Sequence, residues 1–188
     1  MTTATPAKPN VPLPVASRLA ERVIDELRSS CERIEVAGSI RRHKPIVHDI
    51  DLVAIPKLGD GLFPGDANAP TRLDEAVGEL VRGGRLQRVR GGPKATTLKI
   101  PAVPGLHIEL WTCNANTWGW IHCLRTGPAE FTRALVTNRR QGGHCPSHLR
   151  FFQGRVYREG NRTPIAVPSE QALFDLLEMP CLPPEGRA

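Results

Sequence analysis

The chain has 188 residues and a mass of 20.6 kDa, enough for one moderate hydrophobic core or two small cores packed together. Lysine and arginine outnumber aspartate and glutamate by 25 to 19, and the resulting charge of +6 suits a polyanionic partner without requiring one. The five cysteines form no Cys-x-x-Cys pair, which argues against a disulfide framework and a zinc ribbon. No apolar run approaches the roughly 20 residues of a membrane span, and no signal segment opens the chain. We therefore expect a soluble, cytoplasmic protein with reduced thiols.

The first part of the chain predicts an arm, a helix and a strand. Residues 1–14 contain four prolines among small polar residues, and we expect this arm to be disordered because it has little to bury. Apolar residues recur at helical spacing over residues 15–30, which predicts one amphipathic helix. A short alternating stretch at residues 33–37 predicts a strand that ends in a glycine turn at Gly38.

The middle of the chain predicts several strands around a single helix. Residues 49–55 predict a strand that stops before a proline, and the Gly-, Asp- and Pro-rich residues 57–70 predict a loop. Helical spacing returns over residues 73–81, and Gly83 and Gly84 end that helix. Three further strands are predicted at residues 86–90, 96–100 and 106–111.

The pattern becomes mainly helical after residue 111. This change predicts a second subdomain that begins near residue 113. Its helices are predicted at residues 118–124, 129–139 and 169–177, with a polar, hairpin-like stretch at residues 149–163.

Two aspartates lie two residues apart on the strand predicted at residues 49–55. Side chains two apart on a strand face the same way, so Asp49 and Asp51 project together while Ile50 and Leu52 enter the core. Two ionised carboxylates on one face repel each other unless a cation lies between them, and magnesium prefers such oxygen ligands. In isolation, an Asp-x-Asp pair is more often a solvated strand face than a metal site.

A Gly-Ser turn ahead of this strand favours the metal-site interpretation. Gly38 lets the backbone approach a ligand closely, Ser39 and neighbouring amides can donate to phosphate oxygens, and Arg42 can bind them with its planar guanidinium. Phosphoryl transfer uses this combination, because a metal pair can hold both the attacking oxygen and the leaving phosphate. The joint pattern indicates the nucleotidyltransferase superfamily.

The run from Gly38 to Arg42, with Asp49 and Asp51 eleven and thirteen residues after Gly38, resembles the palm of the DNA polymerase beta family, family X. The family's spacing assigns the third carboxylate to Glu109, which would share a strand face with His107. The resemblance covers roughly residues 17–187. Its further elements are Gly91, Gly92, Pro93 and Lys94, then Thr126, Gly127 and Phe131, and finally the segment Val167, Pro168, Ser169 and Glu170.

The resemblance implies an α/β (α+β) nucleotidyltransferase fold. We expect a mixed-sheet palm at residues 15–112 and a small, mainly helical thumb at residues 113–188. Because only 37 residues precede Gly38, the lyase and fingers domains of larger relatives are expected to be absent. The implied location is the cytoplasm, associated with the nucleoid or with another intracellular DNA compartment.

The implied enzyme adds nucleotides to a primer 3′ hydroxyl, with Mg²⁺ or Mn²⁺ as cofactor and a nucleoside triphosphate as substrate. Its partner is primer/template or gapped DNA, and short-gap repair is the expected setting. No membrane is involved, and nothing in the sequence points to a protein partner. The implied catalytic and metal-binding residues are Asp49, Asp51 and Glu109; the nucleotide-binding residues are Gly38, Ser39, Arg42, Thr126, Gly127, Phe131 and Thr132; the DNA-binding residues are Lys94, Arg133, Arg139 and Arg140.

The chain departs from the family pattern at several places, one of which is His48, where the family often has glycine just before the first aspartate. Glu109 stands where the family usually has aspartate. Leu124 and Arg125 replace two aromatics before Thr-Gly, and Thr132 and Arg133 replace an asparagine and a basic residue. These departures leave sugar selectivity and template dependence open, so a template-independent terminal transferase is one alternative. A small-molecule or protein nucleotidyltransferase and a non-catalytic DNA-binding relative are the others.

Overall fold

The structure is a computed structural model that describes residues 9–59, 69–92 and 94–187. The chain divides into two compact units, Met1–Thr112 and Cys113–Ala188. In the described ranges, no helix combines the length and the apolar character that crossing a membrane requires. Part of the loop expected at residues 57–70 lies outside the described residues.

The first unit is built on a five-stranded sheet. In spatial order its strands are β2 (Cys31–Val36), β4 (Asp49–Pro56), β7 (His107–Thr112), β6 (Ala95–Lys99) and β5 (Gln87–Gly92). The pair β4–β7 is parallel, and the other three pairs are antiparallel, so the sheet is mixed. This confirms the predicted α/β class with a mixed sheet. The unit also contains the strands β1 (Val11–Pro12) and β3 (Ile46–Val47), and its helices are α1 (Leu13–Leu27), α2 (Gly38–Arg41) and α3 (Arg72–Arg82).

The core of the first unit lies between this sheet and the helices α1 and α3. Strand β4 alternates as predicted, because Ile50 and Leu52 are fully buried while Asp49 and Asp51 are only partly buried. Helix α3 begins at a capping box in which the Thr71 hydroxyl and the Asp74 carboxylate satisfy each other's backbone amides. Strand β4 lies between β2 and β7 in the sheet, with its apolar face in this core.

The N-terminal segment is partly ordered, which corrects the prediction of a disordered arm over residues 1–14. Residues 1–8 lie outside the described residues, but Val11–Pro12 pair antiparallel with Ile46–Val47, and α1 begins at Leu13. Val11 is only 7% exposed, so the segment does bury apolar surface. Proline tolerates both an edge strand and the first turn of a helix, where no backbone donor is needed.

The second unit combines three helices with a small three-stranded sheet of order β10-β9-β8. The hairpin-like stretch predicted at residues 149–163 is confirmed as an antiparallel pair. The second predicted helix ends at Val136 rather than residue 139, and a 3₁₀ turn follows at Arg139–Gln141. The elements are α4 (Trp118–Thr126), α5 (Ala129–Val136), β8 (Leu149–Phe152), β9 (Arg155–Arg158), β10 (Pro164–Ile165) and α6 (Glu170–Leu176).

A buried ion pair between Arg187 and Glu170 joins the last described residue of the second unit to α6. The Arg187 side chain is 1% exposed and donates to both carboxylate oxygens of Glu170, at 2.7 and 2.9 Å, and to the Leu182 carbonyl. Its guanidinium also lies over the Phe174 ring at 5.5 Å. Burial alone would lower the pKa of Arg187, but the hydrogen bonds and charge of Glu170 raise it overall.

Candidate active site

The three predicted carboxylates lie on two adjacent strands of the first unit. In the parallel pair β4–β7, Asp51 is in register with Glu109 and Asp49 with His107. Register partners of neighbouring strands lie about 4.8 Å apart and face the same side of a sheet. Asp49, Asp51 and Glu109 therefore share one face, opposite the buried side of the sheet.

The glycine turn lies directly against Asp51. Gly38 has a φ of +57°, in the left-handed region that favours glycine, and a Cβ there would lie 2.8 Å from the Asp51 Cγ and closer still to a carboxylate oxygen. The Ala37 amide donates to the Asp51 carbonyl at 2.8 Å, which joins the turn to β4 through the backbone. Only glycine at position 38 leaves the Asp51 carboxylate in place.

Ser39 lies in the short helix α2 that begins at Gly38, and Arg42 caps the C-terminal end of that helix. The Ser39 Oγ is buried and has no hydrogen-bond partner among the described residues, so it is a polar atom available to a ligand. Burial lowers the pKa of the Arg42 guanidinium, and the charges of Asp51 and Asp49 oppose this shift. Arginine remains protonated at neutral pH, and Arg42 therefore places one positive charge beside the two aspartates.

Glu109 has a partner that the sequence analysis missed. The Thr97 hydroxyl lies 3.2 and 3.1 Å from the two carboxylate oxygens of Glu109, in a bifurcated arrangement in which the hydroxyl donates. Thr97 is on β6, in register with Glu109, and is 8% exposed. Its hydrogen bond fixes the orientation of the Glu109 carboxylate. Cross-strand register, which a single strand's alternation does not encode, is the signal that identifies Thr97.

The residues on this face fit a hard divalent cation by their chemistry. All three carboxylates are oxygen donors, and the missing Cβ of Gly38 lets the backbone approach the Asp51 carboxylate closely. Across the described parts of the chain, no three His, Cys, Asp or Glu side chains form a ready-made metal cluster. Asp49, Asp51 and Glu109 are the residues that would hold the metal.

The other predicted nucleotide-binding residues lie around the junction of α4 and α5 in the second unit. Gly127 ends α4, and a Cβ there would meet the Phe131 ring at 2.5 Å. Thr126 is fully buried, and Phe131 is a core residue with 7% exposure. The Thr132 hydroxyl donates to the Leu124 carbonyl at 3.3 Å. The structure thus gives these four residues packing and hydrogen-bonding roles within the unit, and their nucleotide contacts stay a prediction.

The four predicted DNA-binding residues are exposed but differ in their contacts. Lys94 lies in the turn between β5 and β6, where its neighbour Pro93 is outside the described residues, and Arg133 lies on α5. Arg140 lies in the 3₁₀ turn beside Arg139. Arg139 is engaged within the fold, since it donates to Glu178 and to the Leu177 carbonyl, both at 2.6 Å. That hydrogen bond and charge lower the pKa of the Glu178 carboxyl.

Comparisons with known proteins bear on the fold. No family model matches the sequence, and no curated protein matches it. Among solved structures, the chain is similar to polymerase beta of Leishmania infantum, solved as a ternary P/T complex, with a TM-score of 0.75 and 16% identity. The match covers 96% of this chain and 77% of that chain. The likeness shows that the chain has a polymerase-beta-like fold.

Proposed function

We propose that the protein is a metal-dependent nucleotidyltransferase that extends the 3′ hydroxyl of a DNA primer, as a family X type DNA polymerase acting in short-gap repair. The observation that carries the proposal is the register of Asp51 with Glu109 beside the Gly38 turn. This register aligns three carboxylates on one face, next to a buried, unbonded serine hydroxyl and an arginine. The polymerase-beta-like fold supports the same conclusion.

Within this proposal, Asp49, Asp51 and Glu109 hold Mg²⁺ or Mn²⁺. When bound, the metal supplies positive charge beside the reacting phosphate and lowers the pKa of the attacking hydroxyl. Thr97 fixes the carboxylate of Glu109 by hydrogen bonding, and Gly38 keeps the Asp51 carboxylate free of steric contact.

The triphosphate is assigned to the turn that carries Ser39 and Arg42. The Ser39 hydroxyl would donate to a phosphate oxygen, which would satisfy an atom that has no partner among the described residues. The Arg42 guanidinium would bind two phosphate oxygens through parallel hydrogen bonds. Both groups bind and orient the nucleotide, so their loss should weaken nucleotide binding more than it affects the fold.

The test is extension of a labelled primer, alone and annealed across a one-nucleotide gap, with each deoxy- and ribonucleotide in Mg²⁺ or Mn²⁺. Asp51→Asn removes one metal ligand and keeps the side-chain shape, and we expect it to abolish extension. The matched control is Asp25→Asn, which removes an exposed carboxylate of α1 that pairs with Arg28 at the protein surface. Retained extension by Asp51→Asn would contradict the assignment.

The pattern of products separates the alternatives. Insertion of only the complementary base in the gap indicates a templated polymerase, and addition to the single-stranded primer indicates a terminal transferase. Extension on neither DNA, together with nucleotide transfer to a small molecule or protein, would replace the proposal with another nucleotidyltransferase. DNA binding without metal-dependent incorporation would indicate a non-catalytic relative.

A further inference from the structure

One face of the β8–β9 hairpin carries alternating arginine and aromatic side chains. The register pairs Arg150 with Tyr157 and Phe152 with Arg155, so these four side chains share a face. The opposite face packs inward, since Leu149 is 3% and Val156 is 1% exposed. We call the four residues Arg150, Phe152, Arg155 and Tyr157 the hairpin platform.

The platform is held in one geometry by contacts within the hairpin. The Arg150 guanidinium lies 4.6 Å from the Tyr157 ring centre and 6.0 Å from the Phe152 ring centre. It also donates to the Asn161 carbonyl at 3.1 Å. The turn residues Gln153 and Gly154 have φ values of +50° and +77°, the two positive values of a tight type I′ hairpin turn. The rings and the guanidinium are therefore ordered before any ligand arrives.

The platform exposes an apolar ring that is surrounded by positively charged side chains. Phe152 is 54% exposed, and it is the one aromatic among the large apolar residues found at the surface of the described chain. Residues 149–163 contain four arginines and one glutamate. Beside the hairpin, Arg150 also lines a groove of about 540 Å³ whose other charged side chains are Arg140 and Glu159.

From this face we infer that the hairpin platform binds unpaired nucleotides of single-stranded DNA. A base would stack on the exposed Phe152 ring, and Arg155 and Arg140 would meet the phosphates that flank it. Exposed aromatic rings interleaved with arginine are the arrangement that binds single strands with little sequence preference, because every base has an aromatic face. The choice of DNA as the strand rests on the proposed function.

Charge and size favour a nucleic acid over other partners. A protein partner or a lipid surface would require a larger apolar patch than one exposed ring flanked by arginines. The positive charge of the hairpin complements a phosphate backbone at each step of a strand. Arg155 lies opposite Phe152 in the hairpin register, so one cation lies beside the base that stacks on Phe152.

The experiment measures fluorescence anisotropy of the full chain with two labelled strands of about 12 nucleotides, one of thymidines and one abasic. EDTA is present and nucleotide is omitted, so turnover does not contribute. The variants are Phe152→Ala and Arg155→Ala. The matched control is Arg158→Ala, which removes an exposed arginine from the same strand but from the opposite face. Thermal unfolding checks that each variant is folded.

We expect Phe152→Ala to weaken binding of the thymidine strand by roughly 5- to 100-fold and to leave abasic-strand binding unchanged. Arg155→Ala should weaken binding of both strands and reduce the slope of the salt dependence by about one. Arg158→Ala should keep the wild-type difference between the two strands. Equal affinity of wild type and Phe152→Ala for the thymidine strand would overturn the inference.

The outcome is separable from the test of the proposed function. Base-dependent binding lost in Phe152→Ala, in a protein that fails to extend primers, would leave the platform in place and remove the polymerase proposal. Primer extension by a protein whose single-strand binding ignores Phe152 would do the reverse. Capture of a protein by this face with no single-strand binding would also overturn the inference.

Discussion

Replacement of Gly38 by alanine tests whether the glycine turn positions the carboxylates that we propose to be catalytic. Gly38 has a φ of +57°, and its missing Cβ would lie 2.8 Å from the Asp51 Cγ. Alanine therefore introduces two separate effects, namely backbone strain at position 38 and a steric contact with the Asp51 side chain. A second glycine allows the two effects to be measured apart.

The magnitudes follow from the geometry. An L-residue in the left-handed region costs about 1–2 kcal/mol. An ordinary carbon–carbon contact needs about 3.5 Å, so the Asp51 carboxylate must retreat by at least roughly 0.7 Å from the 2.8 Å position of its Cγ. A displacement of about 1 Å at a reacting centre lowers the rate by about 100-fold. We thus expect Gly38→Ala to lose about 100-fold in activity and only about 1–2 kcal/mol in stability.

The assays are single-nucleotide gap filling for the rate and urea denaturation for the free energy of unfolding. The matched control is Gly84→Ala, because Gly84 has a φ of +69° and a Cβ there meets nothing within 4 Å. Gly84→Ala should lose the same stability, about 1–2 kcal/mol, and keep the wild-type rate. If Gly38→Ala filled gaps as fast as Gly84→Ala, the inference that this turn sets the position of Asp51 would be refuted.

Three further predictions concern the Glu109 support, the buried ion pair and a buried thiol. Thr97→Val removes the hydroxyl that orients Glu109, and we expect it to raise the Mg²⁺ concentration for half-maximal extension by about 10-fold. Arg187→Ala leaves Glu170 without its guanidinium, and we expect urea denaturation of the second unit to show a loss of about 3–5 kcal/mol. Burial raises the pKa of the Cys31 thiol from 9.0 to about 11, with Lys57 opposing the shift. Its contribution to stability should be complete below pH 9.0 and be lost as pH rises toward about 11, measured as the free energy of unfolding against pH.

Each of these predictions has a control and an outcome that contradicts it. Thr96→Val alters the adjacent threonine on the other face of β6, and an equal effect on Mg²⁺ dependence would remove the specific role of Thr97. The double variant Arg187→Met, Glu170→Leu should recover most of the lost stability. An alkaline decline unchanged in Cys31→Ala would show that another group causes it.

The periodicity of the sequence correctly predicted the features that one strand determines by itself, namely which side chains lie on each of its faces. Ile50 and Leu52 entered the core and Asp49 and Asp51 stayed on the other face, because alternation within a strand depends only on backbone geometry. The position of Glu109 came from family spacing, and its alternation against Ile108 and Leu110 is confirmed.

Contacts between distant segments were less predictable. Thr97 meets Glu109 only through cross-strand register, and Val11 becomes part of a strand only through pairing with Val47. Arg139 and Phe131 show that the contacts of a side chain within the fold are equally hard to predict from the sequence. Their side chains suit a ligand, yet in the structure one binds Glu178 and the other packs in the core, because residue type does not specify which partner a side chain meets.

The strand β1 reaches the segment that joins the glycine turn to the first aspartate. Val11–Pro12 pair with Ile46–Val47, the Leu13 amide donates to the Pro45 carbonyl at 3.0 Å, and the His48 Nδ1 donates to the Pro9 carbonyl at 3.0 Å. The described residues before α1 therefore bind the connection between Gly38 and β4 through backbone pairing and one side-chain hydrogen bond. Loss of the residues before Leu13 would remove these contacts, and the connection between Gly38 and β4 would then lack its pairing partner.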